Sequence, residues 1–343
     1  MIRLTLRQFR AEAAITFALL TALAIVLALT GPHLDQVNQA FQATCTTTGS
    51  CSSAANPVFA VDQGMQALVP ILAIIAPGLI GMFFGAPLVA RELETGTFRV
   101  AWTQSVTRRR WLAVRLILTG LATVTVAGLL TWVVVWWDGP LDAASQRTFD
   151  PVNFSIHGVV AIGYAAFAFA LGVAAGTLLR RTVAAMGATL VGFVVARVAV
   201  TDWVRPNLAA PLHESLPFLT ARPGFSLDAS AGSLSLTPPL VRIPDAWVYS
   251  TSVVNPSGDT LTGQYVLHAC PALDRVAGTG PAANPLAAVR ACQDTLSATF
   301  HTLVTYQPAS RFWPFQWAEL GIFLAAALAL CGLTFWWLRH RLA

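Results

Sequence analysis

Long, uninterrupted apolar runs dominate the pattern of hydrophobic and polar positions in this chain. A helix needs about 20 apolar residues to cross a hydrocarbon core of about 30 Å. Helices are favoured over a β-barrel because the runs do not alternate and because lipid offers backbone groups no outside partner. Six runs are long enough, over residues 14–30, 66–90, 111–137, 156–179, 182–204 and 315–338. The pattern predicts an all-α polytopic membrane protein with six transmembrane helices.

Composition supports this class, since 55% of the residues are hydrophobic and only 11% are charged. An average soluble domain carries about 25% charged residues. Arginines precede the first run, as in a secretory signal, but no convincing small-residue cleavage site follows Thr30. We therefore interpret the first run as an uncleaved span.

The first residues have an amphipathic pattern. Apolar side chains at positions 2, 6, 9 and 13 share one helical face, and arginines at positions 3, 7 and 10 share a neighbouring face. This pattern is typical of a helix lying at the membrane surface. The alternative is a disordered basic tail that only sets the orientation of the chain.

Arginine alone sets the orientation, because the chain contains no lysine. The arginines of the short connections fall mainly on one side, which also holds both termini, and the first loop on the other side has none. Short, arginine-rich loops are cytoplasmic. We therefore expect a multi-pass protein of the cytoplasmic membrane with both termini inside. The net charge of +5 reflects this asymmetry, and no basic folded domain suited to nucleic acid is predicted.

A long polar segment separates the fifth and sixth spans. It is rich in Pro, Gly and Ser, with strand-like runs at 246–254 and 265–268 and a helical stretch at 284–299. The sequence predicts a small mixed extracellular insertion over residues 205–313, flanked by a membrane part at 1–204 and a last span with its tail at 314–343. We favour a passive external cap over a substrate-binding module.

The cysteines divide into pairs outside the spans. Cys45 and Cys51 lie in the first outer loop, and Cys270 and Cys292 lie in the insertion. Paired thiols in an oxidising environment favour disulfides, although four unpaired thiols remain the alternative. The Cys and His residues do not have the spacing of metal ligands, so no metal site is predicted.

Charged residues within the spans are candidates for structural or functional roles. Arg197 lies in the fifth span and Glu319 in the sixth, and their predicted depths differ by only about 5 Å at 1.5 Å per residue. Because an isolated charge in the membrane is costly, we predict an Arg197–Glu319 ion pair that clamps the last two spans. Asp202 is the competing partner for Arg197.

Two G-x-x-x-G patterns occur in the spans. They run from Gly81 to Gly85 and from Gly172 to Gly176, and such patterns let helices approach closely. In a glycine-rich chain this signal is weak.

Catalytic motifs are absent from the sequence. A phosphate-binding G-x-x-x-x-G-K-[ST] loop needs a lysine that this chain lacks, and neither G-x-S-x-G nor H-E-x-x-H occurs. We therefore predict a protein that is not an enzyme and binds no cofactor itself. Its energy must come from another polypeptide or from an ion gradient, and the central spans lack the acidic and histidine residues typical of gradient-driven carriers.

The most informative stretch joins the second and third spans. It reads Arg91-Glu92-Leu93-Glu94-Thr95-Gly96-Thr97, and the basic cluster Arg108, Arg109 and Arg110 follows it. This stretch closely resembles the R-E-x-E-x-G-T signature of the type-2 ABC exporter permease family. The segment at 306–316, which leads into the last span, is similar to that of actinobacterial members. Phe98-Arg99 departs from the more usual leucine-glutamate.

The resemblance implies a membrane subunit of an ATP-driven exporter. ATP and Mg²⁺ would bind to a separate ABC ATP-binding subunit, and two permeases would pair as a homodimer or a heterodimer in the bilayer. The implied docking residues are Glu92, Glu94, Gly96, Thr97, Arg108, Arg109 and Arg110.

Alternatives remain open from the residues alone. Glu92 and Glu94 could merely cap and solubilise a helix end. The chain could be a gradient-driven carrier or channel, or a membrane-anchored assembly or sensory protein that acts through its external domain. The apolar spans do not identify a substrate.

Overall fold

The computed structural model describes residues 2–48, 56–95, 108–218, 224–228, 233–237, 241, 243–271 and 285–340. The chain divides into two compact units. The first unit comprises residues 1–208 together with 311–343, and the second comprises residues 209–310. The second unit is therefore slightly shorter than the predicted insertion of 205–313. Arg205 and the residues that follow it belong to the first unit because they prolong the helix of the fifth span.

Helices account for most of the described residues. In chain order they are α1 Ile2–Thr48, α2 Gln63–Thr95, α3 Arg108–Ser145, α4 Pro151–Ile156, α5 Val160–Leu179, α6 Thr182–Ala199, α7 Gly263–Ala269, α8 Pro285–Ser297 and α9 Phe312–His340. A π-helical turn, Val200–Val204, and a 3-10 turn, Arg205–Asn207, prolong α6. Further 3-10 turns precede α2 and α9.

Among the described residues, six helices are long and apolar enough to cross a membrane. They lie in α1, α2, α3, α5, α9 and α6 with its two added turns. Each overlaps one predicted run, and the run 156–179 begins four residues before α5. The prediction of six spans is confirmed. Residues 2–13 are helical as expected, but they are continuous with the first span in α1.

Helix α1 is longer than the apolar run that predicted it. The run ends at Thr30, but the helix continues to Thr48 with Pro32 inside it. Leu34 in the continuation is buried against Val58 and Leu141, which supplies apolar contacts beyond the lipid-facing part. Tertiary packing therefore supports the continuation of this helix beyond the apolar run.

Helices α2 and α5 pack through the predicted G-x-x-x-G patterns. A Cβ atom built on Gly81 would lie 2.3 Å from the Cβ of Ala168, and one on Gly85 would lie 2.4 Å from the carbonyl oxygen of Phe169. A Cβ on Gly172 would lie 2.8 Å from the backbone nitrogen of Ala86. The two glycine patterns thus meet each other, and α5 is mostly buried.

The described residues of the second unit form two antiparallel sheets and two helices. Its strands are β1 Leu212–Pro217, β2 Gly224–Asp228, β3 Ser233–Thr237, β4 Trp247–Val254 and β5 His301–Gln307. One sheet has the order β1-β5-β4, and β2 pairs with β3 in the other. The core of the unit is formed by Phe218, Leu261, Val266, Cys270, Ala288, Cys292, Leu296 and Phe300.

The predicted elements of this segment have mixed outcomes. The run 246–254 forms β4 and the stretch 284–299 forms α8. The strand predicted at 265–268 is wrong, because these residues lie in α7. The hydroxyl of Thr262 accepts a hydrogen bond from the backbone N–H of Tyr265, which caps that helix and favours it over a strand.

Disulfides form in both regions where cysteine pairs occur. Cys270 and Cys292 are bonded across α7 and α8, with their Cα atoms 5.4 Å apart. Cys45 is also disulfide-bonded, and its predicted partner Cys51 lies outside the described residues. In the described part of the chain Cys331, in α9, is the free cysteine.

Candidate functional site

Glu92 joins the end of α2 to α3. Its carboxylate forms an ion pair with the guanidinium of Arg115, one of the buried charged residues of the chain. The Nη1 atom of Arg115 also lies 3.4 Å from the carbonyl oxygen of Leu88, one turn earlier in α2. The side chain of Arg115 therefore ties α3 to the last two turns of α2.

Glu94 joins the same end of α2 to the start of α6. Its Oε2 atom accepts a hydrogen bond from the hydroxyl of Thr182 at 2.8 Å and another from the backbone N–H of Thr182 at 3.1 Å. Thr182 is the first residue of α6, where backbone N–H groups lack helical partners and favour an anion. The hydrogen bonds from Thr182, with a smaller contribution from Arg181, hold the pKa of Glu94 below its usual value.

The other predicted docking residues are described only in part. Gly96 and Thr97 lie outside the described residues. Arg108, Arg109 and Arg110 form the first turn of α3, and of these Arg110 has a described, solvent-exposed side chain. The two glutamates thus connect α2, α3 and α6 at one end of the helices, a cluster that we call the glutamate junction (Glu92, Glu94, Arg115 and Thr182).

A second polar cluster is buried among the membrane-spanning helices. The guanidinium of Arg205 donates from Nε to Glu319 Oε2 at 2.8 Å and from Nη2 to Glu319 Oε1 at 3.0 Å. Tyr164 of α5 donates its hydroxyl to Glu319 Oε1 at 2.5 Å. The side chains of Arg205 and Glu319 are both fully buried. The guanidinium carbon of Arg205 lies 4.3 Å from the centroid of the Phe154 ring.

The structure corrects the predicted Arg197–Glu319 ion pair, because Glu319 is bound by Arg205. The π-helical and 3-10 turns extend the fifth span past Val204 and bring Arg205 to the level of Glu319. Arg197 lies instead over the ring of Tyr164, with 3.7 Å between the guanidinium carbon and the ring centroid. In the described part of the chain Arg197 and Asp202 form no ion pair.

Gln316 links the start of α9 to the start of α5. Its Oε1 atom accepts hydrogen bonds from the backbone N–H groups of Val159 and Val160, at 3.1 and 2.9 Å. Its Nε2 atom donates to the carbonyl oxygens of Phe154 and His157, at 2.8 and 2.9 Å. The amide oxygen of Gln316 therefore caps the start of α5, whose N-cap residue makes no side-chain hydrogen bond. Its amide nitrogen satisfies carbonyl oxygens at the end of α4.

Sequence reasoning missed several of these residues. Thr182 follows a pair of arginines directly before an apolar run, which is a helix-start signal. Arg205 directly follows the run 182–204 that predicted the fifth span, so it was assigned to the insertion. A buried Glu319 required a cation, but sequence alone did not distinguish Arg205 from Arg197.

Comparison with known proteins identifies the family. The family model described as "ABC-2 membrane transporter related" matches residues 17–205, which contain the glutamate junction and nearly all of the first five spans. No curated protein matches the chain, and no solved structure matches it. Because the family model covers more than half of the chain, this protein belongs to the ABC-2 membrane transporter related family and is a multi-pass membrane protein of the ABC permease type.

Proposed function

We propose that this chain is the permease of an ATP-driven exporter and moves its substrate out of the cell when docked to a separate ABC ATP-binding subunit. Membership of the family supports the permease role. The observation that carries the coupling role is the glutamate junction, in which the end of α2 is bonded to both α3 and α6. A displacement of the connection between α2 and α3 would therefore be transmitted to α2, α3 and α6 at the same time.

The separate ATP-binding subunit would bind and hydrolyse ATP. ATP and Mg²⁺ would bind there, because this sequence has no lysine for a phosphate-binding loop. The docking surface would comprise residues 91–110, including Gly96, Thr97 and the arginines at 108–110. In this proposal Glu92 and Glu94 act mainly within the chain, where they attach the docking surface to the helices. The basic residues at 108–110 would contact the ATP-binding subunit.

Orientation and assembly follow from the same proposal. The arginine-rich connections favour a cytoplasmic position for the docking surface and both termini, and the insertion would then lie outside. Two permeases would pair with two ATP-binding subunits, as a homodimer or a heterodimer.

Copurification tests the proposal most directly. The full-length chain, expressed with its genomic neighbours and tagged, is expected to retain a stoichiometric ATPase that carries a Walker A lysine. In proteoliposomes that complex should hydrolyse ATP faster than the ATPase alone. A chain that purifies without an ATPase and conducts solutes or ions without ATP would instead be a carrier or channel. A chain that shows neither activity would favour the assembly or sensory role.

A further inference from the structure

A groove of about 440 Å³ lies between α1 and α3. Its walls include Asp35 and Asn38 of α1 and Trp136 and Gly139 of α3. Its volume falls within the roughly 300–1,000 Å³ of pockets that bind small organic molecules. The groove starts where the apolar runs 14–30 and 111–137 end, at the boundary of the hydrocarbon core, and Asp35 and Trp136 are exposed. A molecule from the aqueous phase can therefore reach it.

Two side-chain hydrogen bonds hold the walls of this groove in place. Trp137 donates from Nε1 to Thr30 Oγ1 at 2.9 Å, which joins α3 to α1 beside the groove. Asn56 donates from Nδ2 to the buried Asn38 at 2.8 Å. Gly139 leaves the space open, since a Cβ atom built on it would have no atom within 4 Å. A ligand would therefore enter a preformed site.

A carboxylate and an indole ring lie side by side in the groove. A Cβ atom built on Gly31 would lie 3.1 Å from the six-membered ring of Trp136, so this ring packs against α1. Asp35 is four residues further along α1, and residues with this spacing share a helix face at about 5–6 Å between Cβ atoms. Because helical side chains lean towards the N-terminus, the carboxylate of Asp35 lies near the ring. One small cationic group can contact both.

The groove offers negative charge and hydrogen-bond acceptors. Among the described residues that line it, Asp35 is the charged one, and no basic side chain in the described part of the chain forms an ion pair with it. Its hydrogen-bond donor is the neutral amide of Gln39, at 2.8 Å. Pro140 has no N–H to donate to the carbonyl oxygen of Trp136 one turn earlier in α3. The indole face of Trp136 also attracts cations. These groups favour a positively charged donor over an anion.

We propose that this groove binds an alkylammonium group, the protonated amine of an organic molecule that also has an apolar part. The ammonium donates to the carboxylate of Asp35 and contacts the ring of Trp136, and the apolar part lies along Gly139 and Ala143. Such a group can belong to a free organic amine or to the headgroup of an aminophospholipid. The site is independent of the direction of transport and of the ATP-binding partner.

The test measures binding of phenethylamine and of its neutral counterpart, phenethyl alcohol, to the full-length chain in detergent by equilibrium dialysis. The two probes have nearly the same shape and differ in the charged group. The wild-type chain is expected to bind the amine about tenfold more tightly, as an exposed ion pair and a cation–π contact together would give. Asp35→Asn, which keeps an acceptor for Gln39, should remove most of this preference. Gly139→Leu fills the groove without a clash and should abolish it.

Matched variants outside the groove serve as controls. Asp62→Asn removes an exposed carboxylate, and Trp132→Leu removes an exposed tryptophan one turn before Trp136. Both should keep the preference, whereas Trp136→Leu should lower it about threefold. Equal affinity of the wild-type chain for the two probes would overturn the proposal. So would a preference that persists in Asp35→Asn and in folded Gly139→Leu, or an equal loss in Asp62→Asn, which would indicate a general attraction to surface charge.

Competition by lipids identifies the source of the ammonium group. Displacement of phenethylamine by phosphatidylethanolamine, with no effect of phosphatidylglycerol, would assign the site to a lipid headgroup. No displacement by either lipid would assign it to a free amine, and both results support an ammonium site. Equal displacement by the two lipids would overturn it, because recognition would then not depend on the amine.

Discussion

Arg205 and Glu319 are 114 residues apart in sequence and form a two-point hydrogen-bonded ion pair with both side chains fully buried. The pair joins the end of the fifth span to the first turns of α9. A buried charge pair is stable only when its remaining hydrogen-bonding groups are satisfied. Here Tyr164 and the carbonyl oxygen of Pro151 supply the additional partners.

Removing one member of this pair should be strongly destabilising. Glu319→Gln leaves the buried guanidinium of Arg205 without its counter-ion, and we expect a loss of about 3–5 kcal/mol in unfolding free energy. The double variant Arg205→Met with Glu319→Leu removes both charges and should recover most of this loss. Thermal unfolding in detergent measures both effects. Glu214→Gln, at an exposed acid of the second unit, is the control, and an equal effect there would argue against the pair.

A charge swap distinguishes the glutamate junction from a simple solubilising helix end. Glu92→Arg and Arg115→Glu should each lower partner-stimulated ATP hydrolysis by about tenfold, since an unpaired, mostly buried charge costs about 1–3 kcal/mol or more. The double variant restores the opposite charges and should regain much of the activity. Membrane insertion, followed by protease protection, should be unchanged in all three. Full activity in both single variants would rule out the coupling role of this ion pair.

The contact between Glu94 and Thr182 predicts a pH dependence. The pKa of Glu94 is lowered in the folded chain from its ordinary value of 4.5 by hydrogen bonds from Thr182. The contact therefore contributes stability fully above about pH 4.5 and loses it as the pH falls through the lower folded value. Thr182→Val should raise the pKa of Glu94 towards 4.5 in a carbon-13 NMR titration. Thr295→Val, which removes an exposed hydroxyl in the second unit, should leave it unchanged; equal shifts in both variants would contradict this assignment.

The crossing of α2 and α5 predicts which glycines tolerate a methyl group. Gly81→Ala forces a Cβ to within 2.3 Å of Ala168, and such overpacking typically costs about 1–3 kcal/mol. Gly321→Ala places its Cβ where no atom lies within 4 Å. That control should be neutral, or stabilising by up to about 1 kcal/mol, because alanine favours a helix more than glycine does. Unfolding midpoints in detergent compare the two, and equal midpoints would disprove a tight crossing.

Much of the fold was predictable because hydropathy alone marks a membrane span. The six spans, the intervening polar segment and the Cys270–Cys292 bond all follow from local patterns. The helix at 263–269 did not, since the short run at 265–268 suits a strand as well as a helix. Its cap at Thr262 was the discriminating signal.

The candidate site was predictable only in part. The charged stretch after the second span identified Glu92 and Glu94, but their partners Arg115 and Thr182 lie on other helices, and such contacts depend on packing. Likewise, Glu319 required a buried cation, and the choice of Arg205 over Arg197 depended on the two irregular turns that prolong α6. A hydropathy pattern does not reveal helix irregularities of this kind.

The register of β1 with β5 has a consequence for how the chain accommodates its insertion. Leu212 pairs with Tyr306, so the two ends of this hundred-residue segment are neighbours within its own sheet. Strand pairing and the Cys270–Cys292 bond within the segment therefore offset the entropic cost of closing so long a loop. The packing of the flanking spans does not have to offset that cost. Such a segment can change in length or sequence between related chains while the spans on either side keep their packing.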